Sequence, residues 1–206
     1  MNIDDVMLLA PVIPVLVVDD AAHARPIAEA LVAGGIRTLE VTLRTAAALE
    51  TISEMARVDG AIVGAGTVLS EADLEASLAA GARFIVSPGC TEPLARAAIE
   101  AKVPFLPGVA TASDIMRGLD LGFSRFKFFP AETSGGVAAL KALAAPFAAV
   151  RFCPTGGIDA ATAARWLALD SVSCVGGSWL APRGVPDRAA IEIRAREAAA
   201  LHGAGR

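Results

Sequence analysis

Eight times along this chain, a short apolar run is followed by a stretch with helical spacing. The runs are Val12–Val18, Thr38–Leu43, Ala61–Gly66, Phe84–Ser87, Phe105–Val109, Arg125–Phe129, Val150–Cys153 and Val172–Val175. The helical stretches are Ala21–Ala33, Ala46–Arg57, Glu71–Ala80, Glu92–Ala101, Ala112–Leu121, Gly136–Leu143, Ala160–Leu169 and Asp187–Leu201. Gly34-Gly35, Gly81 and Gly122 sit where helices stop, and Ser70 sits where one starts. The repeat interval, roughly 20–27 residues, is that of βα units. The runs are continuously apolar, as strands become when both faces of a parallel sheet are covered. Eight such units in one domain predict an α/β fold, a (β/α)8 TIM barrel over residues 1–206, with a short leading helix at Ile3–Ala10. A doubly wound open sheet is the alternative, but its GxGxxG fingerprint after the first strand is absent.

Composition narrows the function classes. Just over half of the residues are hydrophobic and the formal net charge is −4, with no run of like charges. That leaves no basic surface for nucleic acid and no polybasic membrane anchor. The apolar run Val6–Val18 contains Pro11 and Pro14, is too short to span a bilayer, and follows Asp4 and Asp5. A cytoplasmic protein is expected. Cys90, Cys153 and Cys174 show no CxxC spacing, which suits reduced thiols better than a disulfide framework or a zinc site. There is no tyrosine, and the two histidines, His23 and His202, lie in a helical stretch and near the C-terminus. Acid–base work therefore falls to carboxylates or lysine.

The sixth run, Arg125-Phe126-Lys127-Phe128-Phe129-Pro130, holds one of only three lysines, against fifteen arginines. The others, Lys102 and Lys141, fall in helical patterns. An ammonium in a buried strand must leave water, which is costly, and burial favours a neutral amine. A neutral amine condenses with ketones to form a Schiff base. The alternative is a strand-end lysine whose head reaches water or pairs with a carboxylate. Both readings stand at this point.

In such a barrel, chemistry lies at the carboxyl ends of the strands. In Leu39-Glu40-Val41-Thr42-Leu43-Arg44, period-two alternation puts Glu40, Thr42 and Arg44 on one face. The apolar face packs on helices, so these three point inward. Glu40 is then either an ion-pair partner of Arg44 or Lys127, or an acid–base group. The third strand ends Gly64-Ala65-Gly66-Thr67, where glycines permit close ligand approach and Thr67 offers a hydroxyl. Pro154-Thr155-Gly156-Gly157 and Gly176-Gly177-Ser178 follow strands seven and eight, where many barrels bind phosphate through backbone N–H groups and helix N-termini. Tight turns alone would also explain either loop. The set suits Schiff-base chemistry on a phosphorylated keto compound. No metal-ligand cluster appears.

Leu39–Thr45, Val63–Val68, Phe126–Glu132, Cys153–Ile158 and Gly176–Leu180, in this order, resemble the bacterial 2-keto-3-deoxy-6-phosphogluconate (KDPG) aldolases, also called KHG/KDPG aldolases. The resemblance runs from about residue 10 to 180 and excludes the C-terminal helix. It implies a class I aldolase of the Entner–Doudoroff pathway, with no metal or other cofactor. The enzyme would cleave 2-dehydro-3-deoxy-6-phosphogluconate to pyruvate and glyceraldehyde 3-phosphate, with 4-hydroxy-2-oxoglutarate as a further substrate. It implies a homotrimer. Position by position, Lys127 becomes the Schiff-base residue and Glu40 the general acid/base. Arg44 and Thr67 would bind the pyruvate carboxylate, with Pro88 and Phe129 lining that pocket. Thr155 would sit near the substrate hydroxyls, and Gly156, Gly157, Gly177 and Ser178 would bind the phosphate. Ala110 and Thr133-Ser134 depart from the pattern beside the site and bear on fine specificity. The rivals are an aldolase for the galactonate epimer, a phosphate-binding isomerase or decarboxylase, and a catalytically silent sugar-phosphate sensor.

Overall fold

A computed structural model describes residues 1–201; His202 lies outside the described residues. The chain alternates strand and helix as its pattern predicts. In order the strands are β1 (Val12–Leu16), β2 (Thr38–Thr42), β3 (Ile62–Gly66), β4 (Ile85–Val86), β5 (Phe105–Leu106), β6 (Gly108–Val109), β7 (Arg125–Phe128), β8 (Arg151–Pro154) and β9 (Val175–Gly177). All pair in parallel. One ladder runs β5-β4-β3-β2-β1-β9 and the other β6-β7-β8. Bridges Phe152↔Val172 and Thr155↔Gly176 join the remaining seam, closing a (β/α)8 barrel.

The fifth barrel strand is broken into β5 and β6 at Pro107, which has no N–H to give the ladder. Gly108 follows because a Cβ there would stand 2.1 Å from the Pro88 carbonyl oxygen. The eighth strand begins later than its apolar run suggests. Val172 makes only an isolated bridge, and the pairing with β1 starts at Val12↔Val175. Gly176 and Gly177 are therefore strand residues opposite Ile13 and Pro14, and not a loop after the strand.

Two apolar clusters confirm the parity of the strands. Leu39, Val41, Val63, Ala65, Phe126, Phe128 and Phe152 belong to the large cluster between barrel and helices. Ile13, Ile62, Phe84, Val86, Leu106 and Cys153 fill the barrel's interior. Phe84 fits there because Gly64 has no side chain; a Cβ would meet its ring at 2.4 Å. The leading helix α1 (Ile3–Leu8) adds the fully buried Val6 and Met7 to the interior cluster, so it plugs one end. Asn2 and Asp5 form its capping box, and Asp4 pairs with Arg125 of β7.

Behind the barrel lie α2 (Ala24–Ala33), α3 (Ala48–Ala56), α4 (Glu71–Ala79), α5 (Glu92–Glu100), α6 (Ala112–Asp120), α7 (Gly136–Ala144), α8 (Ala163–Leu167) and α9 (Arg188–Ala199). Ser70 caps α4, as its position predicts, in a box with Asp73. No helix among the described residues is long and apolar enough to cross a membrane. Nor does any disulfide join the cysteines among them.

Candidate active site

β2 and β7 lie across the barrel from one another, each with a charged side chain at an inward position. Glu40 is flanked in register by Val15 and Gly64, and Lys127 by Gly108 and Cys153. The two side chains meet inside: Lys127 Nζ donates to Glu40 Oε1 at 3.0 Å. Their side chains are only 5 % and 4 % exposed. Pairing thus relieves the buried ammonium. Such a pair is no strong source of stability, because desolvation of both ions offsets their attraction. Its chemical meaning is sharper. One proton moved from Nζ to Oε1 turns an ion pair into an amine nucleophile beside a carboxylic acid.

The pair needs room, and Gly66 supplies it. A Cβ at that position would lie 2.2 Å from Glu40 Oε1 and 2.7 Å from its Cγ. So this glycine admits a protein carboxylate, where its sequence context suggested a ligand. The Phe129 ring centroid lies 5.4 Å from Lys127 Nζ. At the rim, exposed Arg44 donates from Nε to Thr67 Oγ1 at 3.3 Å. Thr67 has φ 60, a left-handed backbone that a β-branched residue adopts only under constraint. Inward-facing Thr42 serves the barrel wall. Its buried hydroxyl donates to Leu16 O at 2.9 Å and ties β2 to β1.

Beside the pair is a cavity of about 190 Å³ lined by Val15, Val17, Arg44, Phe129, Thr155, Gly156, Gly157, Ile158, Gly176, Gly177 and Ser178. It gathers every residue expected at the phosphate end, together with Arg44, Phe129 and Thr155. Lys127, Glu40, Thr67 and Pro88 are not among its lining residues. Pro88 stands one strand away, its carbonyl against Gly108, the register partner of Lys127. Gly156 and Gly157 have φ +106 and +78, left-handed backbone that glycine adopts without the strain a side chain would bring. Gly176 and Gly177 are glycines for other reasons. Side chains there would collide with Thr155 Oγ1 at 2.2 Å and with the Trp179 ring at 1.7 Å. The helix dipole expected behind the first loop is also displaced, because a turn closed by Asp159 and Thr162 separates Gly157 from α8.

The sequence reading missed Val15, Val17 and Ile158 on the cavity wall. It also missed Glu132, which accepts from Arg165 Nη2 at 2.5 Å and from Trp166 Nε1 at 2.9 Å. The Arg165 bond, chiefly, holds the Glu132 carboxyl below the ordinary glutamate range. No group of three His, Cys, Asp or Glu side chains among the described residues is placed to hold a metal ion.

The fold is a (β/α)8 barrel with one buried lysine–glutamate pair inside it. A family model for KDPG and KHG aldolases matches residues 3–194, and the chain belongs to that family. A 2-dehydro-3-deoxy-phosphogluconate aldolase of Zymomonas mobilis is 58% identical over 200 residues, covering 97% of this chain and 96% of its own. A crystal structure of the 2-keto-3-deoxy-6-phosphogluconate aldolase of Zymomonas mobilis ZM4 with 3-phosphoglycerate superposes with TM-score 0.97 at 57% identity, covering 98% and 97% of the two chains. The KDPG aldolase of Legionella pneumophila, with pyruvate captured as a covalent carbinolamine intermediate, superposes with TM-score 0.89 at 41% identity, covering 98% and 99%.

Proposed function

We propose that this chain is a class I aldolase that cleaves 2-dehydro-3-deoxy-6-phosphogluconate to pyruvate and glyceraldehyde 3-phosphate through a Schiff base on Lys127. The observation that carries the reading is the buried Lys127–Glu40 pair, with Nζ 3.0 Å from Oε1 inside a barrel of this family. The covalent pyruvate carbinolamine of the Legionella relative supports it.

The proposed steps start from that pair. Lys127 gives a proton to Glu40, and its amine adds to the C2 ketone to form a carbinolamine. Loss of water leaves an iminium, which serves as the electron sink without a metal or other cofactor. Glu40, again a carboxylate, takes the proton of the C4 hydroxyl. The C3–C4 bond then breaks, its electron pair moves into the iminium, and glyceraldehyde 3-phosphate departs from a pyruvate enamine. Glu40 returns the proton to C3. Water hydrolyses the iminium, releasing pyruvate and the free lysine. Arg44 and Thr67 hold the carboxylate, and Thr67's constrained backbone fixes the hydroxyl. Pro88 and Phe129 wall the pyruvate pocket, and Thr155 faces the substrate hydroxyls. Gly156, Gly157, Gly177 and Ser178 receive the phosphate. Cleavage of 4-hydroxy-2-oxoglutarate to pyruvate and glyoxylate uses the same lysine without the phosphate end.

We place the enzyme in the cytoplasm, in the Entner–Doudoroff pathway, as one barrel domain assembled into a homotrimer. The trimer rests on the family resemblance alone. Sedimentation velocity tests the assembly.

The deciding experiment is borohydride trapping with pyruvate, followed by peptide mapping. A single adduct on Lys127 is expected. No adduct, or equal labelling of Lys102 and Lys141, overturns the Schiff-base reading and favours a phosphate-binding isomerase. Relative kcat/KM on the gluconate and galactonate epimers then fixes the substrate.

A further inference from the structure

The stretch that leaves the lysine strand, Phe128-Phe129-Pro130-Ala131-Glu132, carries one acid that the aldol chemistry does not use. Its surroundings give it another role. The backbone N–H of Ala131 donates to Thr155 O at 2.8 Å, and that of Glu132 to Gly156 O at 3.1 Å. The end of β7 is thus zipped onto the loop after β8. The Glu132 side chain then lies against that loop, so close that a Cβ on Gly157 would meet its Cγ at 2.8 Å and its Cβ at 2.9 Å.

The far end of the side chain is fixed as well. Oε1 accepts from the indole N–H of Trp166 at 2.9 Å. Trp166 is fully buried and packs on Phe128, with ring centroids 6.3 Å apart. A buried indole N–H needs its acceptor, so this bond sets where the carboxylate sits. Arg165 Nη2 binds the same oxygen and balances a charge that would otherwise stand near an arriving anion.

We propose that Glu132 is the positioning residue of the phosphate cradle: braced by Trp166 and Arg165, it holds Gly156-Gly157 in the conformation that receives the phosphate end of the substrate. The proposal rests on the reading of that loop as the phosphate site. Glu132 itself touches neither the lysine nor the reacting carbons. Its loss should therefore separate phosphate recognition from pyruvate chemistry.

The test uses the full chain with Glu132→Ala, Glu132→Asp and Glu132→Gln. Three quantities are read: KM for 2-dehydro-3-deoxy-6-phosphogluconate, inhibition by inorganic phosphate, and proton exchange at the pyruvate methyl, which involves no phosphate. Glu132→Ala should raise KM and weaken phosphate inhibition about tenfold, while pyruvate exchange stays within about twofold of wild type. Glu132→Gln should recover most of the loss, because its oxygen still accepts from Trp166. Should the alanine variant not fold, Glu132→Asp keeps the charge, withdraws it from Trp166, and should show the same split on a smaller scale. Unchanged phosphate inhibition in the alanine or aspartate variant overturns the proposal. So does an equal fall in exchange and cleavage, which would mean general structural damage. If wild type shows no phosphate inhibition and the same KM for a substrate lacking the phosphate, the cradle itself is overturned, whatever Glu132 does.

Discussion

On the β2–β7 side of the barrel mouth, a charged pair is buried; on the β8–β9 side, glycines predominate. Lys127 and Glu40 stand almost fully covered. Glycines occupy 156, 157, 176 and 177, and Gly157 and Ser178 reach the surface. The first side works through functional groups whose positions the strands fix. The second is the proposed phosphate end, and its shape depends on what packs behind it. Yet the two sides share one device: a glycine that lets a neighbour in. Gly66 admits Glu40, Gly176 admits Thr155, and Gly157 admits Glu132. The difference lies in what is admitted. On the lysine side the guest is the proposed acid–base group, and on the glycine side it shapes a surface.

The largest effect that probes this contrast comes from breaking the ion pair. Lys127→Met should leave no turnover above background. It should also cost about 3–5 kcal/mol of stability, because Glu40 remains as a buried carboxylate without its partner. The double variant Lys127→Met/Glu40→Gln should recover most of that stability and none of the activity. Denaturant unfolding beside an aldolase assay reads both. A double variant as unstable as the single would show that the pair is not what couples β2 to β7. In Glu40→Gln alone, proton exchange at the pyruvate methyl should slow about 10²–10⁴-fold, the usual share of a general base. Unchanged exchange would take Glu40 out of the mechanism.

A smaller effect isolates the guest–glycine device. Gly66→Ala puts a methyl 2.2 Å from Glu40 Oε1, so the carboxylate must move while Lys127 stays on its strand. Borohydride trapping on Lys127 should survive, whereas cleavage should fall about a hundredfold from the misplaced acid–base group. Full activity in this variant would mean that Glu40 has freedom the packing does not suggest.

These residues also mark how far the sequence could be read. Period-two alternation put Glu40 inside and Leu39 and Val41 outside, and the two apolar clusters agree. Lys127 could be singled out because a cation between phenylalanines needs a reason. The break at Pro107, the late start of β9, the left-handed Thr67 and the true reasons for Gly66, Gly176 and Gly177 were not legible. Periodicity reports which way a side chain points within one strand. A glycine required by a side chain on the neighbouring strand is a relation between strands, and it becomes visible only once register is fixed. Glu132 escaped for the same reason, since its partners in α8 are distant in sequence. The motif containing it was visible, but nothing in that motif names Trp166.

The smallest expected effect sharpens the glycine side. Arg165 and Trp166 hold the folded-state Glu132 carboxyl below the ordinary glutamate range. A carboxylate depressed in this way stabilises the fold fully above its unfolded pKa and loses that contribution as pH falls through the folded one. Thermal midpoints of wild type and Glu132→Gln should therefore differ most at neutral pH. As the solution is acidified past the ordinary glutamate value the gap should narrow, and it should close only lower, where the folded carboxyl is itself protonated. The difference should be a few degrees at most, because Glu132 and Arg165 are partly solvent-exposed and the pair is screened. Raising salt at neutral pH should shrink it in the same direction. A gap that ignores both pH and salt would mean that the Trp166 hydrogen bond, which glutamine preserves in part, carries the brace without the charge. The loop would then be held by neutral hydrogen bonding, and Arg165 would only offset a charge.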